Sequence, residues 1–265
     1  MYKEELQIID HPIFQRLRGI KQLSFAYMVY HGAEHSRFGH ALGSMHTVDK
    51  ALQKVAKNSE IYGISIDLSE EDFRLARFAA LLHDVGHLPF SHALDKIIPN
   101  DHEKYSAAIV EKVFAHIIEK TNVKVKDVIK LILGQGPLDK PFLISLINSQ
   151  LDADKFDYLL RDSHYAGVKY GIFDFDRLLD SLLVLDGELV ILDGGYYAAE
   201  QLILARYHMF EQVYYHHTKR AFENMARIVA KHLLDNNKLN YPALEELDDN
   251  KQLEALTNYN DSFFS

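Results

Sequence analysis

The sequence predicts an all-α protein with one small β-hairpin. Apolar residues recur at helical spacing along most of the chain, and the 265 residues include only 13 Gly and 6 Pro. Apolar side chains three or four residues apart fall on one face of a helix. Two short apolar runs flank Asp186-Gly187, which is the strongest short signal for a two-residue hairpin turn. We therefore predict one helical domain interrupted by a hairpin near residues 182–192.

The N-terminal third is predicted to contain three helices. Residues 12–23 and 37–56 each carry apolar side chains along one stripe, and the second of these helices contains His40. A third helix is predicted to start at Ser69, which is followed by the acidic residues typical of a first turn. Residues 75–85 are almost all apolar, so this helix is expected to be buried on most sides.

Helical patterns continue toward the C-terminus. Gly86 and Pro89 end the third helix, because neither residue favours a helix interior. Further helices are predicted to start at Ser91 and to span residues 102–118, 126–133, 142–148 and 196–234, the last as one or two helices. We interpret residues 1–240 as one domain. Residues 241–265 are polar and form either a frayed end or the edge of a longer C-terminal region.

Composition limits the chemistry that this chain can perform. Because Cys is absent, disulfides, thiol nucleophiles and thiolate zinc sites are excluded, and a metal ion would need nitrogen and oxygen ligands. The net charge of -9 argues against nonspecific nucleic-acid binding, which needs a basic face. No apolar run is as long as a membrane span, and residues 1–10 lack the pattern of a signal peptide. We expect a cytoplasmic protein without a membrane or a specific nucleic-acid partner.

Histidines cluster in two short windows. Of the 15 His, eight are His31, His35, His40 and His46 in the first window and His83, His87, His92 and His102 in the second. His83 adjoins Asp84 at the end of an otherwise apolar helix. An imidazole and a carboxylate there are costly unless a cation or hydrogen bonds compensate them. The second window therefore predicts a metal site.

The other ligands of this site must come from elsewhere in the chain. If the third helix continues as far as Gly86, His83 and His87 lie on one face and point into one cavity. A mononuclear site needs three or four protein ligands, and His40 and a later Asp are candidates. Spacing alone does not choose among three carboxylates: Asp152, Asp154 and Asp157.

Three longer strings resemble a known family. They are HSRFGHALG at residues 35–43, HDVGHLPFSH at 83–92 and DADKFDYLLRD at 152–162. In this order they are similar to the deoxynucleoside triphosphate triphosphohydrolases of the HD superfamily, and residues 10–23 and 207–217 extend the match. The resemblance implies the helical fold of HD domains, a nucleotide substrate and a homo-oligomer, either a dimer or a tetramer.

The resemblance also implies the metal ligands and the catalytic residues. A divalent Mn, Fe, Zn or Mg ion would be bound by His40, His83, Asp84 and Asp154. The catalytic group would be His87, His92, Asp95 and His102. Within it we expect His102 and Asp95 to protonate the leaving sugar oxygen, because a carboxylate beside an imidazole raises its pKa and fixes its tautomer.

A substrate pocket follows from the same resemblance. Its residues are carried over to Gln22, Leu23, Arg37, Lys155, Tyr158, Asp162, Arg206 and Tyr215. Leu23 packed against the sugar would leave a 2′-hydroxyl unsatisfied and so disfavour ribonucleotides. A family arginine aligns with Tyr207, and Arg206 is its immediate neighbour. The base-facing position is His216, so no base preference is carried over.

The predicted activity is the hydrolysis of deoxynucleoside triphosphates to the deoxynucleoside and inorganic triphosphate. One alternative is a broader phosphohydrolase that acts on nucleoside monophosphates or other phosphorylated metabolites, since fold and metal do not fix the substrate. Another is a nucleotide-binding regulatory module. Asp10, Gln15 and Arg18 match residues that bind an activating nucleotide between subunits in regulated relatives, although helix capping and surface salt bridging would also account for them.

Overall fold

The computed structural model describes residues 1–94, 97, 101–136, 138–236, 238–239 and 250–264. Within these residues the protein is mostly helical with one two-stranded sheet, which confirms the predicted fold class. The helices are α1 (Lys3–Ile9), α2 (Pro12–Gln15), α3 (Arg37–Ile61), α4 (Glu70–Leu82), α5 (His102–Ile109), α6 (Ala115–Ile118), α7 (Val125–Leu133), α8 (Phe142–Ile147), α9 (Ala153–Ala166), α10 (Phe175–Asp180), α11 (Tyr196–Met209), α12 (His217–Asp235) and α13 (Asn250–Asn258).

The hairpin lies where the sequence predicts it. Strands β1 (Leu182–Leu185) and β2 (Glu188–Ile191) pair in antiparallel register, with Leu182 opposite Ile191. Asp186 and Gly187 form the turn with φ values of +51° and +83°. A type I′ turn needs positive φ at both positions, which Asp tolerates and Gly adopts freely, so local sequence determines this feature.

Helix α3 forms the centre of the fold and packs against α4 and α9. Its buried face includes Val48, Leu52 and Val55, and the facing side of α4 contributes Phe78. At the far end of α3, the Asn58 side chain donates hydrogen bonds to two carbonyl groups at the start of the hairpin. This packing fixes the relative positions of the three helices that carry the histidine and aspartate motifs.

Helix α4 starts as predicted and ends earlier than predicted. Ser69 caps its first turn, and the Asp72 carboxylate accepts a hydrogen bond from the Ser69 backbone N–H in a capping box. The helix ends at Leu82, so the prediction that it reaches Gly86 is wrong. At Gly86 the loop runs against α5, where an added Cβ would lie 2.3 Å from the His102 carbonyl oxygen. This contact with a distant helix requires glycine and redirects the chain.

The prediction of a single helix over residues 12–23 is also wrong. Helix α2 ends at Gln15 and a 3-10 turn spans Arg16–Gly19. The buried Arg16 guanidinium donates hydrogen bonds to the carbonyl groups of Val85, His87 and Tyr259. The apolar stripe predicted helical character correctly, but these long-range contacts determine where the helix ends.

The C-terminal residues pack against the rest of the domain. Leu256 of α13 and Tyr259 are buried, and α13 contacts α2. Residues 241–249, which belong to the polar segment that the sequence singles out, lie outside the described residues. The 196–234 pattern corresponds to α11 and α12, joined through a π-helical turn at Phe210–Tyr214. Among the described residues, no helix combines the length and apolar character needed to cross a membrane.

Candidate metal centre and active site

The structure brings together the four residues predicted to bind metal. His40 lies in the first turn of α3, Asp154 lies in the first turn of α9, and His83 and Asp84 directly follow α4. His40 Nε2 lies 2.8 Å from Asp154 Oδ1 and 3.7 Å from Asp84 Oδ2. His83 Nε2 lies 3.3 Å from the same Asp154 oxygen and 3.5 Å from Asp84 Oδ1. Two nitrogen and two oxygen donors therefore face one small volume.

Hydrogen bonds orient both imidazoles toward this volume. His83 Nδ1 lies 2.8 Å from the Ala80 carbonyl oxygen, which can only accept, so Nδ1 carries the proton. His40 Nδ1 lies 2.8 Å from Asp157 Oδ2, a carboxylate oxygen that also accepts. Each Nε2 is then the atom that can donate a lone pair to a cation.

The three carboxylates that spacing could not distinguish have three different positions. Asp152 is the N-cap of α9 and accepts hydrogen bonds from the backbone of Lys155 and Ser149. Asp154 faces the imidazoles, as the resemblance implied. Asp157 lies one turn further along α9, behind His40. Only Asp154 among the three is placed to complete the donor set.

The carboxylates of the site are ionised. Burial opposes ionisation of Asp84, but the adjacent Arg37 and the site's imidazoles hold its pKa well below its usual range. Burial likewise opposes ionisation of Asp154, but the hydrogen bond to His40 and the nearby charge of His83 lower its pKa. Anionic oxygens of this kind are good ligands for a divalent cation.

Without a cation, the imidazoles of the site favour their charged forms. Burial lowers the pKa of His40, but hydrogen bonds to Asp154 and Asp157 outweigh it and raise the pKa to about 10. The pKa of His83 is also raised, because the nearby Asp84 and Asp154 outweigh burial. A metal ligand must be a neutral imidazole, so binding of a cation would displace these protons.

The donor set fits a divalent metal ion. His83 Nε2 is buried and has no hydrogen-bond partner among the described residues, although two carboxylate oxygens lie within 3.5 Å. The ligand atoms of His40, His83 and Asp84 lie within 4.8 Å of one another. A buried imidazole nitrogen without a partner is costly, and a cation between the nitrogens and the carboxylates would satisfy it.

A second group of imidazoles adjoins the first. The ring centroids of His87 and His102 are 3.9 Å apart and stacked, and His92 lies 4.8 Å from His87 and 5.1 Å from His102. Burial, with the charges of Arg37 and His102, keeps the pKa of His87 well below its usual value. His87 is therefore neutral, and it is buried in the protein interior. His92 and His102 line the cavity.

The structure differs from the expected catalytic group at His87. His83 and His87 do not lie on one helix face, because α4 ends at Leu82, and His87 is buried and is not among the described residues that line the cavity. Asp95, the expected partner of His102, lies outside the described residues.

A cavity of about 730 Å³ opens beside the metal donors. Its wall includes the four metal-site residues and every residue of the predicted substrate pocket: Gln22, Leu23, Arg37, Lys155, Tyr158, Asp162, Arg206 and Tyr215. This volume is within the range of small-molecule sites. Residues from both ends of the chain therefore converge on the same cavity.

The cavity wall also contains residues that the sequence did not single out. The polar ones are Ser24, Ser91, Glu103, Asn148, Tyr214, Lys219, Arg220, Glu223 and Arg227. Four of these lie on α12, where charges at helical spacing are typical of a solvated surface and give no signal of a site. Tyr214 precedes Tyr215, which was predicted to contact the substrate. The run of aromatic residues at this point of the sequence was therefore a signal that could have identified Tyr214.

At the sugar end of the predicted pocket, Asp162 belongs to a buried hydrogen-bonded triad. His35 Nε2 lies 2.7 Å from Asp162 Oδ1, and the Tyr214 hydroxyl donates to Asp162 Oδ2 at 2.8 Å. Burial and the Asp162 charge raise the pKa of Tyr214 well above its usual value, so Tyr214 remains a donor. The triad holds the Asp162 carboxylate in one orientation at the cavity wall.

The residues matched to a regulatory nucleotide site lie at the surface near α1 and α2. Gln15 donates to the Ile9 carbonyl and accepts from Arg18, whose guanidinium lies 3.6 Å from the centre of the Phe38 ring. Asp10 is exposed at the C-terminal end of α1. These contacts are intramolecular.

Comparisons with known proteins agree with this architecture. Residues 37–140 match the HD domain family, and residues 173–263 match the HD associated region. The chain belongs to the HD-domain superfamily. Domains of this superfamily bind divalent metal ions, and His40, His83 and Asp84 of this HD protein form a candidate group of metal ligands.

Relatives of this HD protein include both named and uncharacterized proteins. It is 40% identical over 212 residues to the uncharacterized protein YwfO of Bacillus subtilis, covering 79% of this chain and 47% of that protein. It is 30% identical over 233 residues to the deoxynucleoside triphosphate triphosphohydrolase SAMHD1 homolog of Dictyostelium discoideum, covering 83% and 44%. A solved phosphohydrolase from Bacteroides thetaiotaomicron superimposes with a TM-score of 0.79 at 31% identity, covering 97% of this chain and 65% of that one. The chain spans about half the length of the two sequence relatives.

Proposed function

We propose that this HD protein hydrolyses deoxynucleoside triphosphates to the deoxynucleoside and inorganic triphosphate. The observation that carries the proposal is the single cavity that contains all four metal donors and all eight predicted substrate contacts. The triphosphohydrolase named among the relatives supports the same substrate class.

Three cationic side chains line the cavity that contains the metal donors. Arg37 is buried and paired with Asp84, and Lys155 lies 2.8 Å from Asp152. Arg206 reaches the cavity from α11, donates a hydrogen bond to the Gln150 side chain at 3.3 Å and lies over the Phe210 ring. Three positive charges suit a triphosphate, because charge-assisted hydrogen bonds to phosphate oxygens are strong.

The sugar end of the cavity has both polar and apolar contacts. Gln22 Oε1 is buried without a hydrogen-bond partner among the described residues, so a sugar hydroxyl would satisfy it. Asp162 offers an oriented carboxylate for the 3′-hydroxyl. Leu23 is buried and apolar and has no group that could bond a 2′-hydroxyl. This combination favours deoxyribose over ribose.

The chain's own residues account for substrate placement and proton transfer. A divalent ion bound by His40, His83, Asp84 and Asp154 would polarise the phosphate and lower the pKa of a bound water. Arg37, Lys155 and Tyr158 would orient the triphosphate. His102 at the cavity wall would give a proton to the sugar oxygen that leaves phosphorus.

The test is product analysis by chromatography. Manganese-loaded protein is incubated separately with dATP, dGTP, dCTP, dTTP and GTP, and Asp84→Ala serves as the control. Deoxynucleoside and triphosphate that disappear in the control support the proposal. Faster cleavage of nucleoside monophosphates would assign the broader phosphohydrolase instead. Tight nucleotide binding without turnover at full metal occupancy would assign a regulatory module.

We also propose that the protein forms a homo-oligomer. Helix α11 is apolar on its exposed side, where Ile203, Leu204 and Tyr207 are each at least half exposed, and α12 exposes Ile228 and Val229. Apolar helix faces of this kind are typical of protein interfaces. Light scattering after gel filtration should give a multiple of the 30.5 kDa chain mass, and Ile203→Lys should reduce it.

An activating nucleotide between subunits is proposed for the surface that contains Asp10, Gln15 and Arg18. Its support is that Asp10 and Arg18, on either side of α2 in the chain, are both exposed and accessible to a second chain. Addition of GTP during dNTP hydrolysis should raise the rate and the oligomeric mass in the wild type, and Arg18→Ala should remove both responses.

A further inference from the structure

A partly buried ion pair lies directly behind the imidazole of His40. Asp157 Oδ2 lies 2.8 Å from His40 Nδ1, on the side of the ring opposite the metal donors. Arg161, one turn further along α9, donates through Nε to the same oxygen and through Nη2 to Oδ1, each at 2.8 Å. This bidentate geometry holds the carboxylate in one plane. The contacts therefore run in series from Arg161 through Asp157 to His40.

A gap on α3 accommodates this pair. Gly43 lies three residues after His40, and a Cβ added there would lie 1.9 Å from Asp157 Oδ1 and 2.3 Å from Arg161 Nη2. At Gly39, on the same helix, an added Cβ would meet Arg161 at 3.4 Å, an ordinary contact. Alanine would favour a helix more than glycine at either position. Glycine at position 43 therefore provides room for the pair at the cost of helix propensity.

We propose that Asp157 and Arg161 are positioning residues that set the affinity of the site for its metal ion. The carboxylate fixes the proton of His40 on Nδ1, so the Nε2 lone pair faces Asp84 and Asp154. Arg161 in turn prevents the carboxylate from rotating away. Groups that hold a ligating imidazole in this way contribute a large part of metal affinity. The inference rests on the metal site of the proposed function and is independent of its substrate.

The expected effect is a loss of metal affinity without loss of the fold. Asp157→Asn and Arg161→Met should each weaken Mn²⁺ binding by about 10- to 100-fold. The measurement is the Mn²⁺ dissociation constant, from competition with a fluorescent chelator in the absence of nucleotide. Asp180→Asn is the matched control, because it removes an exposed ion pair with Lys54 that is remote from the site and should leave the dissociation constant unchanged.

A pair of glycine variants tests the position of the ion pair with every charged group retained. Gly43→Ala forces Asp157 and Arg161 to move and should weaken Mn²⁺ binding, whereas Gly39→Ala should not. Circular dichroism of the metal-free variants verifies that the helices are intact. Wild-type Mn²⁺ affinity in folded Asp157→Asn and Gly43→Ala would overturn the proposal. Because the titration contains no nucleotide, a wrong substrate assignment would not affect its outcome.

Discussion

The guanidinium of Arg37 is 3% exposed and lies between Asp84 and Ser91. Arg37 was predicted as a phosphate contact, and it lines the cavity. Its paired position gives it a second role, because a buried carboxylate without compensation is strongly unfavourable. In the absence of a metal ion, Arg37 stabilises the charge of Asp84.

Arg37→Met should therefore destabilise the metal-free protein more than the metal-bound protein. Loss of one partner of a buried pair costs about 3–5 kcal/mol of unfolding free energy. A bound divalent ion would compensate Asp84 and reduce this loss. Urea denaturation with EDTA and with excess Mn²⁺ measures both values. Lys57→Met, at an exposed position of α3, is the control, and an equal loss in both conditions would contradict the assignment.

The sequence shows which residue types could bind a metal ion better than it shows the role of each individual residue. The family resemblance supplied the four proposed ligands. Clustering of His and Asp by itself predicted only a metal site, because these residue types are costly in apolar surroundings. It could not distinguish Asp152, Asp154 and Asp157, because helix caps, ligands and hydrogen-bond partners of ligands share one residue type. The residue that orients His40 became apparent only from the packing of α9 against α3.

A short C-terminal segment forms hydrogen bonds to two loops that border the candidate active site. Asp261 accepts hydrogen bonds from the backbone N–H of Lys21 at 2.9 Å and of Phe90 at 2.8 Å. Gln22, which follows Lys21, and Ser91, which follows Phe90, both line the cavity. Phe90 and Ser91 have φ values of +61° and +50°, which are unfavourable for residues with a side chain. Such a turn persists only where surrounding contacts hold it.

Asp261→Ala should lower hydrolysis by about 10- to 100-fold, because small displacements of catalytic groups have effects of this size. It leaves two backbone donors without their acceptor, at a cost of about 1–3 kcal/mol each. The measurements are kcat/KM and the urea midpoint, with Asn258→Ala at an exposed position of α13 as the control. Mn²⁺ affinity should stay unchanged, since the metal donors lie on other elements. Unchanged kcat/KM in the variant would show that the segment does not hold the turn.

The Asp72 carboxylate in the first turn of α4 should make the free energy of unfolding depend on pH. Burial opposes ionisation of Asp72, but hydrogen bonds to Lys140 and Ser69 lower its pKa below the ordinary value of 3.8. Because the folded-state pKa is the lower one, the stabilisation is fully present above about pH 4 and is lost as the pH falls through the folded value. The stability difference between wild type and Asp72→Asn should shrink from pH 5 to pH 3 in urea titrations. A constant difference would contradict this assignment.

Element boundaries show which parts of the fold are local. The hairpin turn and the Ser69 cap depend on a few adjacent residues, and both were predicted correctly. The ends of α2 and α4 depend on the Arg16 and Gly86 contacts, whose partners are not local in sequence. Apolar periodicity carries no information about such partners, so the ends that it predicted for these two helices were wrong.

At the scale of the whole molecule, the metal donors connect three helices that form the centre of the fold. His40 comes from α3, His83 and Asp84 follow α4, and Asp154 comes from α9. An unfolded chain does not hold these four donors together, so a cation binds the folded state far better than the unfolded state. Metal binding should therefore appear as global stability.

Thermal unfolding should report this coupling. At a free Mn²⁺ concentration of about 100 times the dissociation constant, the unfolding free energy should rise by about 2.7 kcal/mol. For a chain of this size, that corresponds to an increase in Tm of about 5–10 °C, which EDTA should reverse. Asp154→Ala should show little response, because it removes the carboxylate oxygen nearest to the Nε2 atoms of both imidazoles. An equal Mn²⁺ response in Asp154→Ala would mean that the stabilising ion binds elsewhere, and the four donors would then need another explanation for their convergence.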